Sequence, residues 1–491
     1  MKSTAPDSFT PSADGMERER SHWKPAPWNA ASCRAPVQSG MGGTPSHRGD
    51  MGQRPMPRCS ARLTVRRSGC YNGGVRQAPE GFLLVDYWLE ATSKGNLRDA
   101  AQMIAVEETT GKWVGSGQPT ELFKKSTAQI HHIEEVEKNK GIATIAFPVH
   151  NLTADRYFVP AMWLFMTAGP LFERMFCDTV RIMDFALPPS LLQQLPGPKF
   201  GMKGTRKILG LPDEDLVIAT IVKPCAGMTA AEVAEKCGEA AEAGTDFIKD
   251  DEKMNNPPYC PLDEKCRLVG QALKRAGERT GRKTIYCPHI STRPDHIREA
   301  AHAAVDNGAT GLMVNCFASG FTAVQILAED PDLQVPIYVH SGARGAWSRI
   351  PNFGIDLKVV VRLLRLLGAD YVRAHMVQGY LIADTFERSV EIVNLMREPI
   401  GGIRDTVPAL SGGLDATNLV PNLEAFGLDI LPMAGGAIIG HPMGTRAGVL
   451  ALRQAAESFK AKVPLEEYAK SHAELAAALA KARGQARGKA G

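Results

Sequence analysis

The chain has 491 residues, 44% of them hydrophobic and 22% charged, so it can bury a large core and is too long for one average domain. Its formal net charge of +4 is small for this length, which argues against a nucleic acid or an anionic membrane as partner and favours small molecules. The ten cysteines form no C-x-x-C pair and no zinc-like cluster, which predicts a reducing compartment, by default the cytoplasm.

Residues 1–79 are rich in Pro, Gly, Ser and Arg and have no helical or strand periodicity. Such a segment cannot bury enough apolar surface to offset its ordering entropy, so we expect a disordered tail. Its arginines and serines resemble a transit peptide, but its acidic residues favour a linker-like tail or an over-extended gene start. The longest apolar stretch, residues 159–172, contains two prolines, is too short to span a bilayer and is interpreted as core.

A small α+β domain is predicted for residues 80–196. Strand-like runs cover residues 82–90, 128–136 and 142–149, and a helical pattern covers residues 97–108. Strands mixed with helices over this length indicate an open sheet packed against helices.

From residue 197 the pattern changes to a regular alternation of short apolar strands and amphipathic helices, for example helices over 230–243, 295–307 and 357–367. Eight such β/α units indicate an α/β fold, a (β/α)8 barrel over residues 197–460, with a doubly wound sheet as the alternative. Residues 461–491 are expected to form a helical extension and tail. The predicted strands are 217–223, 247–251, 284–289, 311–316, 337–340, 371–374, 407–410 and 430–433.

The segment from Asp246 to Glu252, Asp-Phe-Ile-Lys-Asp-Asp-Glu, places a lysine and three acids at the end of an apolar run. Side chains alternate along a strand, so Lys249 and Asp251 point the same way, and Glu252 follows from the strand end. Hard divalent ions such as Mg2+ prefer carboxylate oxygens, and a lysine that has taken up CO2 offers further oxygens as a carbamate. The segment therefore predicts a metal site, with an ordinary lysine–carboxylate ion pair as the alternative.

Other predicted strands also end in polar or glycine-rich residues, and a barrel forms its active site at the C-terminal strand ends. Gly-Gly turns such as those after strands seven and eight commonly bind phosphate through backbone N–H groups, although they also serve as plain loops. The strand ends concerned are Lys223-Pro-Cys225, His289, the run from His340 to Arg344, Arg373-Ala-His375, Ser411-Gly-Gly413 and Ala434-Gly-Gly436.

Enediolate chemistry follows from that combination. Mg2+ beside the carbonyl of a phosphorylated sugar lowers the cost of removing a neighbouring proton. Lys223, partly desolvated near a cation, is expected to have a lowered pKa and to shuttle that proton, with His340 as a second acid/base candidate. Taken singly, His289 and His340 are also compatible with structural roles, and Cys225 with that of a small buried side chain.

Four motifs together resemble the large subunit of ribulose-bisphosphate carboxylase/oxygenase, RuBisCO, in the family's order over about residues 80 to 470. They are Thr220-Ile-Val-Lys-Pro224, the run from Gly244 to Glu252, Ser411-Gly-Gly413 and Gly440-His-Pro-Met-Gly444. The resemblance implies an N-terminal ferredoxin-like α+β domain, a C-terminal (β/α)8 TIM barrel, and a head-to-tail homodimer or multiple of dimers whose sites take residues from both chains.

The resemblance also implies roles for individual residues. Lys249 would be carbamylated and would hold one Mg2+ together with Asp251 and Glu252, and Lys223 would handle the proton. Glu107, in the run from Glu107 to Trp113, would enter the neighbouring subunit's site. Around them would lie His340 after strand five and the substrate- and phosphate-binding Ser411, Gly412, Gly413, Gly435 and Gly436.

Six positions depart from the family's pattern. Each lost charged hydrogen bond to a bound anion costs about 1.5 to 3 kcal/mol. Several together cost on the order of a million-fold in rate, which argues against CO2 fixation. The pattern instead resembles a RuBisCO-like protein of the form IV type, a group that keeps the metal and enolisation chemistry on other substrates. In this chain, Cys225 replaces a lysine of the family's pattern, Lys112 a threonine, Ser341 an arginine, Arg373 a histidine, Tyr380 the mobile-loop lysine and Pro170 an asparagine.

The leading hypothesis is a Mg2+-dependent lyase or isomerase that forms an enediolate from a phosphorylated keto-sugar acid. Arg344, Arg373 and Lys112 offer cationic contacts for a substrate carboxylate, which favours C–C cleavage of a 3-oxo-isoapionate 4-phosphate type substrate, by decarboxylation or hydrolytic transfer. The alternative is enolisation or isomerisation of a methylthio-ketopentose phosphate in methionine salvage. A non-catalytic regulatory homologue is disfavoured, because a structural barrel has no need of a metal cluster.

Overall fold

The computed structural model describes residues 71–72, 75–92, 95–152, 161–173, 177–378 and 385–489. The predicted disordered tail up to residue 70, the first two residues of the apolar stretch 159–172, and Tyr380 lie outside these residues. Within the described ranges, no helix is both long enough and apolar enough to cross a bilayer.

An antiparallel sheet forms the core of the N-terminal domain. Its central strand, Phe82–Ala91, pairs with Lys140–Pro148 on one side and with Cys177–Ala186 on the other, and Gln129–Glu137 lies at the far edge beside Lys140–Pro148. Helix Leu97–Glu107 connects the first two strands and packs its apolar side on the sheet. The predicted ferredoxin-like α+β fold is thus confirmed. The other helical segments before the barrel are Glu121–Ser126, Val149–Asn151, Met162–Thr167, Pro170–Phe172 and Pro189–Leu192.

The chain joins this sheet before the predicted boundary at residue 80. Strands Tyr71–Asn72 and Val75–Arg76 pair as a short antiparallel ribbon. The backbone N–H of Ala78 donates to the carbonyl of Leu187 at 3.3 Å, and the Ala78 side chain is buried beside Leu84. Residue 78 is therefore already part of the packed domain.

A buried arginine on strand Cys177–Ala186 joins the N-terminal domain to the barrel. The guanidinium of Arg181 lies 3.1 Å from the carboxylate of Asp356 and donates to the carbonyl of Phe353 at 3.3 Å. Strand Gly354–Ile355 pairs in parallel with residues 181–182 and adds a fifth strand to the N-terminal sheet. The two domains therefore share one sheet edge.

Eight parallel strands close into a barrel in the second domain. The first three and the last five strands form two hydrogen-bonded groups, which a bridge from His289 to Met313 and another from Ala219 to Met433 join into a ring. The predicted TIM barrel is therefore confirmed. Barrel strands 1 to 8 are, in order, Ala219–Ile221, Phe247–Lys249, Ile285–Cys287, Leu312–Asn315, Ile337–His340, Tyr371–Ala374, Val407–Leu410 and Leu431–Pro432.

Capped helices connect the barrel strands. The first begins after Thr229, whose side chain exchanges hydrogen bonds with Glu232 in a capping box. The helices of the barrel and the C-terminal extension are Ala230–Glu242, Leu262–Thr280, Pro294–His296, Ile297–Asp306, Cys316–Ser319, Phe321–Glu329, Arg344–Ser348, Leu357–Leu366, Phe386–Arg397, Ala416–Phe426, Gly436–Ile439, Thr445–Ala461, Leu465–Tyr468, Ala469–Ser471 and Ala473–Lys489.

Side chains fill the barrel interior, and one helix closes its N-terminal end. The rings of Phe247 and Tyr371 lie 5.0 Å apart inside the ring of strands. Helix Gly201–Leu209 places Met202 in the same apolar cluster, and the Thr205 hydroxyl lies 2.5 Å from that of Tyr371. A packed and closed interior leaves the C-terminal ends of the strands as the face for ligands.

Asp370, immediately before strand 6, fastens the closing helix to the barrel. One carboxylate oxygen accepts hydrogen bonds from the backbone N–H groups of Phe200 at 2.6 Å and Gly201 at 3.1 Å. The other oxygen accepts from the N–H of Ile337 at 2.9 Å. One buried side chain therefore satisfies three backbone donors from two elements.

Replacing this carboxylate should destabilise the whole barrel. We expect Asp370→Ala to lower the free energy of unfolding by roughly 3 kcal/mol or more, because each buried donor left without an acceptor costs about 1 to 3 kcal/mol. Urea denaturation followed by circular dichroism measures the change. The exposed Asp332 provides the matched control, since Asp332→Ala should stay within about 0.5 kcal/mol of the parent. Equal stability of the two variants would contradict the assignment.

Candidate active site

Asp246, the first acid of the segment that forms strand 2, has a structural role. Its carboxylate accepts from the N–H of Ile218 at 2.9 Å. It also forms ion pairs with Arg282 at 2.8 Å and Arg453 at 2.9 Å. Because Asp246 precedes the strand, these contacts stabilise the N-terminal end of strand 2, away from the ligand-binding face.

Asp250 is a fully buried anchor. Its carboxylate receives hydrogen bonds from the Lys265 ammonium at 2.5 Å, the Tyr286 hydroxyl at 2.9 Å and the N–H of His289 at 3.0 Å. Burial acts to lower the pKa of Lys265, but the charge and the hydrogen bond of Asp250, with the charges of Cys260 and Cys266, together outweigh it and raise that pKa. Both carboxylate oxygens are thus engaged, and Asp250 fixes the turn that carries the neighbouring residues.

Lys249, the last residue of strand 2, is buried, with 1% of its surface exposed. Its ammonium donates to the carbonyl of Asp250 at 2.8 Å and lies 5.4 Å from the centre of the Tyr338 ring. Burial lowers its pKa to about 8, although the charges of Glu252 and Asp251 act in the opposite direction. A sizeable fraction of the amine is therefore neutral near physiological pH, as attack on CO2 requires.

Lys223, at the end of strand 1, is bound to Asp251. Its ammonium lies 2.6 Å from the Asp251 carboxylate and 2.8 Å from the sulfur of Cys225. Burial acts to raise the pKa of Asp251, but the hydrogen bonds from Lys223 and Cys225 outweigh it and hold that pKa well below its usual range. Asp251 is therefore ionised.

The lowering of the Lys223 pKa predicted beside a bound cation stays a prediction, because the protein groups alone shift this pKa upward. Partial burial acts to lower it, but the hydrogen bonds to Asp251 and Cys225 and the charges of these groups together outweigh burial and raise it above the usual lysine value. In this state the lysine is a proton donor. It becomes a base only when its contact with Asp251 is weakened.

His340 and Glu252 face each other across the mouth of the barrel. The Nε2 atom of His340 lies 3.7 Å from a carboxylate oxygen of Glu252, and its Nδ1 atom accepts from the N–H of Gly342 at 3.2 Å. Burial, followed by the charge of Lys249, lowers the pKa of His340 to about 3. The ring is thus neutral and carries its proton on Nε2, which makes it a hydrogen-bond donor to this side rather than a base.

These groups fit a divalent cation if Lys249 contributes oxygen. Burial acts to raise the pKa of Glu252, but backbone hydrogen bonding and the charges of His340 and Lys249 together outweigh it and lower that pKa, so Glu252 and Asp251 are both anionic. Across the described ranges, no three His, Cys, Asp or Glu side chains form a metal-ligand group. A carbamate on Lys249 would complete the set of three oxygen donors with Asp251 and Glu252.

A cavity of about 550 Å3 adjoins Lys223 and the turns after strands 7 and 8. Gly412 and Gly413 have φ angles of +110° and +91°, which only glycine adopts without strain. A Cβ atom on Gly435 would lie 3.3 Å from Cε of Lys223, so this turn packs directly against the lysine. Gly436 also lines the cavity. The predicted phosphate turns and the predicted proton-handling lysine therefore meet in one space.

The arginines after strands 5 and 6 differ in accessibility. Arg344 is buried, and its guanidinium donates to the hydroxyl of Ser341 at 3.1 Å and to the carbonyl of Arg373 at 2.6 Å. Arg373 is half-buried and donates through Nε to Ser411 at 3.0 Å. Both arginines line a second, smaller cavity of about 280 Å3. Arg344 thus restores a positive charge beside Ser341, and Arg373 is the better placed of the two for a ligand.

Glu107 and Lys112 lie in the N-terminal domain. Glu107 is the last residue of its helix and is half-buried, whereas Lys112 is exposed. Within the described part of one chain, no hydrogen bond or ion pair joins Lys112 to the barrel mouth. A catalytic role for either residue stays a prediction that needs a second copy of the chain.

His289 is the residue that the sequence singled out without assigning a role. Its Nε2 atom lies 2.7 Å from the Ser291 hydroxyl, and its Nδ1 atom is buried with no hydrogen-bond partner in the described part of the chain. Burial lowers its pKa to about 4, so the ring is neutral. The position of His289 after strand 3 could be predicted from the sequence. Its contact with Ser291 could not, because no sequence pattern shows it.

Comparisons with known proteins agree on one family. The model of the ribulose bisphosphate carboxylase large chain catalytic domain matches residues 201–481, and that of the N-terminal domain matches residues 76–191. The ribulose bisphosphate carboxylase of Methanosarcina mazei is 31% identical over 415 residues, covering 81% of this chain and 95% of that protein.

Solved structures give the same answer. A rubisco-like protein (MtnW) from Alicyclobacillus acidocaldarius superposes with a TM-score of 0.74 at 32% identity, covering 82% of this chain and all of that one. The octameric ribulose-1,5-bisphosphate carboxylase/oxygenase of Pyrococcus horikoshii gives 0.77 at 28% identity, covering 83% of this chain and 97% of that one. Carboxylases and a rubisco-like protein are thus similar to this chain to nearly the same degree.

Breaking the buried ion pair beneath the site should be costly. We expect Lys265→Met to lower the free energy of unfolding by about 3 to 5 kcal/mol, because it leaves the Asp250 charge buried without its partner. Thermal and urea unfolding measure the effect. The double variant Asp250→Asn with Lys265→Met should recover much of the loss, and Lys274→Met, exposed on the same helix, should cost little. A Lys265→Met variant as stable as Lys274→Met would contradict this role.

Proposed function

Because the chain belongs to the ribulose bisphosphate carboxylase large-chain family, we propose that it is a Mg2+-dependent enzyme that forms an enediolate from a phosphorylated keto-sugar acid and cleaves a C–C bond without fixing CO2. The observation that carries the proposal is the 2.6 Å contact of Lys223 with Asp251 at the edge of the glycine-lined cavity. A proton-handling group, anionic ligands and a phosphate-sized space lie within one strand-end face.

Lys249, Asp251 and Glu252 are the proposed metal ligands. Burial keeps part of the Lys249 amine neutral, which supports its conversion to a carbamate. When bound, Mg2+ would polarise the substrate carbonyl and stabilise the negative charge of the enediolate. Asp250 contributes no ligand, because Lys265, Tyr286 and a backbone N–H occupy it.

Lys223 is the proposed group that moves the proton. Its contact with Asp251 raises its pKa, so any partner that draws the Asp251 charge away lowers the lysine pKa toward the range of a base. The neutral amine then takes a proton from the carbon next to the substrate carbonyl, or the ammonium returns one to the enediolate. His340 would donate its Nε2–H to a substrate oxygen, since its Nδ1 is already an acceptor.

The turns after strands 7 and 8 are proposed to hold the phosphate. Within the described residues, the backbone N–H groups of Gly412, Gly413, Gly435 and Gly436 donate to no protein acceptor. Amides left free along a cavity wall suit the oxygens of a phosphate group. Glycine also leaves room there, since a Cβ atom at position 435 would lie 3.3 Å from Cε of Lys223 and would press on the lysine side chain.

Arg373 is proposed to bind the substrate carboxylate. Ser411 holds its Nε, and among the described residues no acceptor engages the two terminal nitrogens, so they remain for an anion. A carboxylate two carbons from the ketone leaves as CO2, and the bonding electron pair becomes the enediolate that Lys223 then protonates. Arg344 supports this arrangement through the Arg373 carbonyl.

A carboxylase reading fits these residues less well. Cys225 stands 2.8 Å from Lys223, where the family's pattern has a second lysine, and Ser341 stands where it has an arginine. Lost cationic contacts of this kind cost about 1.5 to 3 kcal/mol each.

We also propose a dimer or a multiple of dimers as the assembly, in line with the octamer of the Pyrococcus horikoshii protein.

Direct assay of the chemistry tests the proposal. With Mg2+ and bicarbonate present, the enzyme should release CO2 from a phosphorylated 3-oxo sugar acid, and Lys223→Met should lower that rate about a hundredfold or more. Lys236→Met, on the surface of the first barrel helix, serves as the control and should retain the parent rate. Solvent-deuterium incorporation into ketose phosphates without CO2 release would assign isomerisation instead, and no turnover of either class would refute the enzyme proposal.

The lysine carbamate has its own readout. With a Lys249 pKa of about 8, about one-tenth of the amine is neutral at pH 7 and about nine-tenths at pH 9. At constant dissolved 13CO2 and Mg2+, the carbamate signal in 13C NMR should therefore rise with pH over this range. Lys249→Met should abolish the signal, whereas Lys236→Met should keep it. A signal that persists in Lys249→Met would remove Lys249 from the ligand set.

A further inference from the structure

The glycine-lined cavity extends beyond the barrel to the C-terminal helix Ala473–Lys489. One end of its wall contains Lys223 and Gly435, and the other contains Ala478, Lys481 and Ala482. Its volume of about 550 Å3 falls within the range of small-molecule sites. A helix outside the eight β/α units thus forms part of the candidate substrate space.

Lys481 reaches from this helix to the segment that carries the phosphate turn. Its ammonium donates to the carbonyl of Gly440, directly after the short helix that begins with Gly436. This carbonyl is its only recorded partner among the described residues, so two of its three N–H groups remain for a ligand. Lys481 is half-buried, which keeps its charge close to the cavity wall.

Lys481 carries the one positive charge on this wall that no carboxylate offsets within the described residues. Lys223 is neutralised by Asp251 at 2.6 Å. His441 has both ring nitrogens engaged, by the carbonyl of Glu474 at 3.0 Å and by a backbone N–H at 3.1 Å. Lys481 therefore supplies a positive charge without an ion-pair partner at the end of the cavity that the terminal helix forms.

Among the described residues, Asp415 is the one acid on the cavity wall, and one of its two carboxylate oxygens is engaged. Asp415 accepts hydrogen bonds from the backbone N–H groups of Thr417 at 2.8 Å and Asn418 at 3.2 Å, and from the Thr417 hydroxyl at 2.5 Å. These bonds cap the helix that follows strand 7 and disperse the carboxylate charge toward its N-terminus. Within the described residues, Asp415 and Lys481 form no ion pair with each other.

The terminal helix is held firmly enough to present a lysine at a fixed place. Leu475 and Leu479 are buried against the helix Thr445–Ala461. Gln454 on that helix donates to the Glu474 carboxylate at 2.9 Å and accepts from the N–H of Leu475 at 3.0 Å. Lys481 lies a further half-turn beyond Leu479 on the same helix, so its stem starts from a packed element.

We infer that Lys481 is a substrate-binding residue that contacts the phosphate group held by the free backbone N–H groups of the turns after strands 7 and 8. The C-terminal helix then adds a cation from outside the barrel to the phosphate site. This inference deepens the proposed function, because it takes the sugar phosphate as ligand, but phosphate binding is measurable without any turnover.

The test uses inorganic phosphate as the probe and the full-length protein. Isothermal titration should give a Kd for phosphate that is weaker by roughly tenfold or more in Lys481→Met, because a charge-assisted hydrogen bond is lost. Lys481→Arg should stay close to the parent. Lys470→Met removes an exposed lysine that pairs with Glu467 nearby on the chain and should leave the Kd unchanged.

A second measurement on the unaltered protein avoids any effect of a variant on folding. Phosphate should protect Lys481, and not Lys470, from acylation by an amine-reactive reagent, as read by mass spectrometry. The inference is overturned if Lys481→Met binds phosphate like the parent, if Lys481 gains no protection, or if the parent binds no phosphate. Failure of the CO2-release assay with a normal Lys481 effect would instead refute only the proposed reaction.

Discussion

The candidate site depends on the buried ion pair of Asp250 with Lys265. Both side chains are fully buried, and the carboxylate also receives the Tyr286 hydroxyl and the N–H of His289. These contacts fix the turn at the end of strand 2, so that the residues before and after Asp250 are held at the barrel mouth. The buried charge of Asp250 in the barrel wall thus orients the side chains of Lys249, Asp251 and Glu252. The cost of burying this charge is offset by complete hydrogen bonding.

A second buried ion pair joins the N-terminal domain to the barrel. Arg181 on the N-terminal sheet bonds to Asp356, and Asp356 caps the helix Leu357–Leu366 that follows strand 5. The strand that the barrel adds to the sheet lies beside it. The loop after strand 5, which carries His340 and Arg344, is therefore supported from the N-terminal domain as well as from the barrel.

The regular alternation of apolar strands and amphipathic helices predicted most of the fold. The remaining features depend on individual side-chain contacts. Barrel strands are short and apolar, so strands 5, 6 and 7 have the predicted bounds. Strand Cys177–Ala186 escaped prediction because the partners of its central arginine, the Asp356 carboxylate and nearby carbonyl groups, lie far along the chain. In the segment from Asp246 to Glu252, the structural role of Asp250 depends on Lys265, which lies fifteen residues later on a helix. The sign of the Lys223 pKa shift depends on its contacts with Asp251 and Cys225, which together outweigh burial and are not visible in the spacing of residues.

Gly435 packs so closely against Lys223 that a Cβ atom would lie 3.3 Å from the lysine side chain. The turn that would hold the far end of the substrate and the group that would move its proton are therefore close neighbours in the cavity wall. An anion that settles into the turn also sets the reach of the lysine toward the reacting carbon. Binding energy from a remote, unreactive group is in this way coupled to alignment at the reacting centre, and an analogue lacking that group would be turned over slowly even at saturation.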